Sequence, residues 1–282
     1  MVYMHENNLL EKINQKKDGN GKAVNGYKNL KSELEDFYNN TYKVFRNEIE
    51  KLTFDSDPIN RKNFDKAADL FWSYYCKTRQ FASDNKVDQR SKFSSSFLEE
   101  ISTYLFCGLE EIKTKKFDIY NKSIYAGLKI DNKLIVSVIP KDVDFCIGRK
   151  TKIKIGNKSE DIIFPIVAVE VKTYLDATMF GEVQFTSDKL RAAAPYVKSY
   201  VLMGYKDVKD EHIISARANS SLNEMFVLKK NKIPKNHIPK ETDSDKFSGE
   251  ALYQYWHEIS TAVQNALSEI IITTPGKLFE QK

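Results

Sequence analysis

The sequence predicts an α/β fold, and three observations carry that expectation. Apolar residues recur at three- and four-residue steps through the first third of the chain. From Phe117 the pattern changes to short segments rich in isoleucine, valine and aromatics. One further helical stretch, stopped by Pro195, then separates the last two segments of that kind. The order is helix, antiparallel meander, helix, strand, with helical additions at both ends.

Leu30, Leu34, Phe37, Tyr38, Tyr42, Phe45, Ile49 and Leu52 form the first amphipathic stripe, ended by the turn Thr53–Pro58. A second helix is expected from about Asn60 to Phe81, with Phe64, Ala67, Ala68, Phe71, Trp72 and Tyr75 on its apolar side. Aromatic residues at helical spacing are read as core rather than as stacking platforms. The polar stretch Lys77–Lys92 reads as a loop, and Ser94–Ser96 as the cap of a third helix ending near Lys115. Strand segments follow at Phe117–Ile130, Leu134–Ile147, Lys152–Ile155 and Ile162–Thr173, separated by turn signals at Asp131–Asn132 and Gly156–Asn157. Asp176 is placed to cap a helix to about Ala194, and Tyr196–Tyr205 reads as one more buried strand. A weakly patterned stretch (Asp207–Asn231), a polar linker (Lys229–Lys246) and a last helix (Ser248–Ile272) complete the chain.

Its 282 residues and 32.6 kDa suit one elaborated domain. With 41% hydrophobic and 29% charged residues and a mean hydropathy of -0.51, composition excludes a membrane protein and argues against disorder. The 44 Lys and Arg against 39 Asp and Glu leave a net +5, compatible with a polyanionic partner without requiring one. Cys76, Cys107 and Cys146 are too widely spaced for a disulfide framework or zinc knuckle, and the first residues lack the pattern of a signal peptide. A cytoplasmic protein is expected. His5, His212, His237 and His257 lack metal-ligand spacing and read as surface or packing residues.

The chemistry is expected in Pro140–Gly148 and Ile166–Thr173. Side chains alternate along a strand, so Glu170 and Lys172 share one face. A hairpin turn centred near Asn157 and Lys158 places Asp144 roughly opposite Glu170–Lys172, with a bulge able to move the register by a residue or two. A bare Glu-X-Lys triplet is often only an exposed salt bridge. Two carboxylates and an ammonium at one sheet end, however, suit a hard divalent cation such as magnesium, which takes oxygen ligands and keeps several waters. Asp144, Glu170 and the Val171 carbonyl would hold it. Lys172 would orient and help deprotonate a water and offset charge on a phosphate, so that a phosphodiester is hydrolysed.

The arrangement resembles the PD-(D/E)XK nuclease superfamily over about Phe97–Tyr205. More narrowly, Glu-Val-Lys-Thr-Tyr-Leu-Asp-Ala-Thr-Met-Phe (Glu170–Phe180), Gln184-Phe-Thr and Leu190–Pro195 resemble the type II restriction endonucleases that include BbvCI and its relatives. The resemblance implies a magnesium-dependent subunit that cuts one strand of a short specific site in double-stranded DNA, partnered by a second related subunit in a heterodimer or by self-association. The alternatives are another nuclease of this fold, acting in repair or junction resolution, and a catalytically inert DNA-binding subunit. Pro140-Lys-Asp-Val precedes Asp144 where the family motif has a Pro-Asp pair, which leaves Asp142 as a competitor for the metal. The family core often adds a carboxylate from its first helix. Of Glu99 and Glu100, the latter flanks the Phe97, Ile101 and Tyr104 stripe and is the chosen candidate. Glu182 and Gln184 are candidates to support the site from the next helix.

Candidate DNA contacts are Arg79, Gln80, Gln89 and Arg90 in the polar loop, Arg149 and Lys152 in the basic hairpin, and Arg217 with Asn219. Residues 93–206 are expected to form the catalytic core. Residues 1–92 and 207–282 are left for DNA recognition, subunit contact and the terminal helix.

Overall fold

A computed structural model describes residues 3–14, 30–87, 92–155, 158–234 and 237–266. The chain enters through α1 (Met4–Ile13), which the sequence pattern did not signal because only Leu9, Leu10 and Ile13 mark its apolar side. The helix expected over Leu30–Leu52 is α2 (Lys31–Phe37) and α3 (Lys43–Ile49), joined by a π-helical turn at Tyr38–Tyr42. Phe37 and Tyr42 are five residues apart and both buried; the wider turn keeps them on one side. α4 (Arg61–Asp84) runs past its expected end, since Thr78 and Ala82 continue the buried stripe and no breaker intervenes before Asn85. Arg79 and Gln80 therefore stand in the last turns of a helix and not on a loop, while Gln89 and Arg90 lie outside the described residues.

α5 (Lys92–Phe106) starts ahead of the expected cap, so Ser96 is a mid-helix side chain, 2.9 Å from His5 Nδ1. It stops at Cys107–Gly108, and α6 (Glu110–Lys113) follows as a separate turn. The strands are β1 (Asp118–Tyr120), β2 (Ile124–Ile130), β3 (Val136–Lys141), β4 (Phe145–Ile155) and β5 (Lys158–Leu175). The two long strands expected at Phe117–Ile130 and Leu134–Ile147 each divide, at the polar breaks Asn121–Ser123 and Asp142–Asp144. β2 and β3 pair only with each other, and β1 pairs antiparallel with β4. The continuous meander is thus an antiparallel β1–β4–β5 unit with a hairpin inserted in it.

Asp176 caps α7 (Ala177–Ala193) as expected, its carboxylate accepting the Met179 N–H at 2.9 Å. β6 (Lys198–Lys206) then returns parallel to β5, which requires a crossover such as α7. The weakly patterned stretch holds α8 (Asp210–Asn219) and β7 (Leu222–Lys229), the latter parallel to β6. α8 escaped the reading because it has no clear apolar stripe; Ile214 is exposed. α9 (Gly249–Asn265) begins at the Ser248 cap, and its expected continuation to Ile272 falls in residues 267–282, outside the described part.

The five-stranded sheet, in the order β1–β4–β5–β6–β7, has different cover on each face. Phe145, Ile147, Val167, Val169, Val171, Tyr200, Leu202, Phe226 and Leu228 pack into one large cluster with α5, α9 and the N-terminal helices. Cys146, Ala168, Val201 and Met203 face α7 and the hairpin base. α5 is consequently buried from both sides, between the sheet and the N-terminal helical layer. That position decides where its two glutamates go.

The β4–β5 ladder shifts between Ile147↔Val167 and Gly148↔Pro165, leaving Ile166 as the extra residue of a bulge. A Cβ on Gly148 would lie 2.3 Å from the Phe164 carbonyl oxygen, which backbone alone must relieve. Gly148→Ala is expected to cost about 1–3 kcal/mol, read as a lowered thermal midpoint; an unchanged midpoint would mean that the bulge relaxes freely.

Candidate active site

The last β4–β5 pair before the ladder ends is Phe145↔Val169, while β5 stays paired to β6 through Leu175. Glu170, Val171 and Lys172 therefore line an edge that β4 no longer covers. Alternation directs Glu170 and Lys172 to the α7 face with Ala168, and Val171 to the opposite face with Val169. Asp144, one residue before β4, fills the missing ladder position with its side chain: Oδ2 accepts the Val171 N–H at 2.8 Å.

Lys172 Nζ lies 2.9 Å from Glu170 Oε2 and 3.7 Å from Asp144 Oδ2. The side chains are 26%, 16% and 29% exposed in the order Lys172, Glu170, Asp144, accessible to a substrate but withdrawn from bulk water. Burial pulls the Lys172 ammonium down, but the Glu170 and Asp144 carboxylates, joined by Glu182, outweigh it and hold the group above its ordinary value. The structure thus brings together the three residues that strand geometry predicted to converge.

Oxygen donors available at this edge are the two carboxylates and the Val171 carbonyl, because an extended residue turns its N–H and C=O to the same side. All are hard ligands. Among the described residues no three His, Cys, Asp or Glu side chains form a cage for a metal ion. A set of two carboxylates and a carbonyl is instead the sparse kind that suits magnesium, which retains much of its hydration.

Glu100 is not brought to this site. It is fully buried on the other side of α5, where Oε1 accepts from Tyr42 OH at 2.9 Å and Tyr104 OH at 2.8 Å, and Oε2 from the His5 and Glu6 N–H groups at 2.8 and 3.1 Å. The Phe97–Ile101–Tyr104 stripe that singled it out packs largely against the N-terminal helices, so it pointed away from the strand ends. Glu99 approaches them instead. Asn121 Nδ2 donates to Asp144 O at 2.9 Å and lies 3.4 Å from Glu99 Oε2, linking α5 to the segment that leads into β4. Sequence reasoning missed Asn121, although an Asn at a strand break is the signal that could have found it.

Asp142 is exposed and accepts from Ser123 Oγ at 2.6 Å, apart from the three. Glu182 is exposed on α7 and acts electrostatically on Lys172; Gln184 is half-buried on the same helix. Arg79 is half-buried near Tyr75 and Tyr205, and Gln80 donates to Asp84 at 2.7 Å. Arg149 and Lys152 are exposed on the outer arm of the β4–β5 hairpin. Arg217 and Asn219 fall at the end of α8, with side chains outside the described part.

Residues 90–262 match the family described as Bpu10I restriction endonuclease. No curated protein sequence matches the chain. Among solved structures, one described as the native BbvCI A2B2 tetramer at low resolution superposes with a TM-score of 0.72 at 17% identity, covering 95% of this chain and 97% of that one. At that identity the likeness shows the fold.

Proposed function

Since the chain belongs to the Bpu10I restriction endonuclease family, and is thus a type II site-specific deoxyribonuclease of a restriction–modification system, we propose that it is a magnesium-dependent subunit hydrolysing one strand of a short double-stranded DNA site. The observation that carries this is the convergence of Asp144, Glu170 and Lys172 at the uncovered edge of β5. Asp144, Glu170 and the Val171 carbonyl would hold the cation. Bound there, magnesium supplies a Lewis acid for the scissile phosphate and lowers the pKa of a bound water. Lys172, tethered to Glu170, places its ammonium beside the phosphate and offsets the negative charge that grows on its oxygens. Retention of all three groups favours an active subunit over an inert one.

The BbvCI structure is a tetramer of two kinds of subunit, and this chain is proposed likewise to work with a second, related subunit. Catalysis is assigned to residues 93–206, and DNA recognition or subunit contact to 1–92 and 207–282. Arg149 and Lys152, exposed on the hairpin arm, are proposed phosphate contacts.

The test incubates the purified chain with plasmid DNA, with and without magnesium and with and without a candidate partner, and sequences the ends. Discrete ends or a single-strand nick at one sequence, dependent on the cation, are expected. Cutting that follows DNA structure rather than sequence would favour a repair or junction-resolving role.

A further inference from the structure

A cleft of about 460 Å³, linked to Asp144 through Asn121, is lined on the α1 side by Asn7, Asn8 and Asn14 and faces Glu99, Asn121 and Lys122. Asn121 and Lys122 form the turn between β1 and β2. The turn is locked onto the Asp142–Asp144 segment ahead of β4, because the Lys122 N–H donates to Val143 O at 3.2 Å and Asn121 Nδ2 to Asp144 O at 2.9 Å. Lys122 also has a φ of +124°, a conformation that L side chains rarely adopt. Lys86, Lys115 and Leu134 have φ values of 51°, 59° and 59°, the ordinary left-handed turn region, so Lys122 is the unusual one of the four. A lysine standing where glycine would sit without strain points to a use for its side chain. Lys122 is exposed at the border of a cleft whose walls are rich in amides, groups that donate to and accept from the polar edges of nucleotides. Glu11 and Glu99 line the cleft too, two carboxylates against the single lysine, so it is not a polyanion groove, and the strand would meet it only at the Lys122 rim through one phosphate.

We propose that this turn positions the DNA strand for cleavage: Lys122 takes a backbone phosphate next to the scissile one, and Asn121 is a positioning residue that fixes Asp144. The proposal rests on the catalytic reading above and goes beyond it in placing the path of the strand between α1 and the β1–β2 turn.

The test compares Lys122→Gly and Asn121→Ala with the unaltered protein, together with its second subunit if cutting requires one. The probe is a plasmid fragment carrying the mapped cut site. Three quantities are read: thermal unfolding, binding in calcium over a range of salt, and single-turnover cutting in magnesium. Lys122→Gly is expected to unfold at or above the original midpoint, because glycine accepts the turn. It should bind about 3–10-fold more weakly, with a log–log salt slope shallower by about 0.9, the value of one lost phosphate contact. Asn121→Ala should bind normally and cut about 10–100-fold more slowly, a split that loss of fold would not produce. Unchanged affinity and slope in Lys122→Gly, or in Lys122→Asn should the glycine variant unfold early, overturns the phosphate contact. Unchanged cutting by Asn121→Ala overturns the positioning role. Both are separable from failure of the catalytic reading, which shows as full-rate cutting by Glu170→Ala and Lys172→Ala, whereas the Lys122 measurement reads binding alone.

Discussion

Lys172→Ala and Glu170→Ala are each expected to slow strand cleavage at least about 10³-fold, while thermal stability and calcium-supported DNA binding change little. The stability side follows from exposure. Lys172 and its two partners keep contact with solvent, so the pairs are worth about 1 kcal/mol or less to the fold. The cost of losing either group should therefore appear in the reaction. Lys172→Ala removes the ammonium beside the phosphate and leaves Asp144 and Glu170 without the cation that now stands between them. Glu170→Ala removes one of two carboxylates from an already sparse donor set and frees Lys172 from its 2.9 Å tether. In an assembly of two cutting subunits the product from either variant should be a one-strand nick. Single-turnover assays on the mapped site, with contaminating nuclease excluded by a mock preparation, decide it: full-rate cutting by both variants would sink the assignment.

That site was legible in the sequence because its logic is local. Alternation along β5 sets Glu170 and Lys172 on one face, and counting back through a hairpin brings Asp144 opposite them; the bulge at Ile166 moved the register by one residue without separating the three. Asp176 and Pro195 likewise bracket α7, because a cap and a breaker act on their own neighbours. What was not legible depends on packing between layers. The stripe on α5 indicates that Phe97, Ile101 and Tyr104 are buried but not against what, and a helix enclosed on both sides offers a buried direction to Glu99 and Glu100 alike. The apolar run Phe117–Ile130 similarly gives no sign that its halves join different sheets, since that is settled by where β4 and β3 find their partners. α8 and β7 are held by the growing edge of the sheet more than by their own pattern.

Glu100, away from the proposed catalytic edge, acquires a different consequence: stability that changes with pH in a way its substitution exposes. α1 has no side-chain cap of its own, and the Glu100 carboxylate accepts two of its first-turn N–H groups while also accepting from Tyr42 and Tyr104. Burial raises its pKa to about 7, against the four hydrogen bonds that lower it. In the same pocket His5, between Ser96 Oγ and Tyr74 OH, has its pKa lowered to about 3 by burial and by the Lys12 charge. Between pH 4.5 and 7 the folded chain holds a proton on Glu100 that the unfolded chain releases, so this contribution is complete below pH 4.5 and is lost as pH rises through 7. Between pH 3 and 6.5 the unfolded chain holds a proton on His5 that the folded chain lacks, so that contribution is complete above 6.5 and is lost as pH falls through 3. Each slope is about 1.4 kcal/mol per pH unit, and they oppose each other. Stability from this pocket should accordingly be flat from pH 4.5 to 6.5. Glu100→Gln removes one slope. Its cost should be greatest near pH 4.5 and shrink by up to about 3 kcal/mol towards pH 7, with strand cleavage retained. Urea unfolding of both proteins at pH 4.5, 5.5 and 7 measures the difference directly; a cost independent of pH would show that the Glu100 carboxyl titrates alike in the folded and unfolded chain, and that the hydrogen bonds capping α1 fully offset its burial.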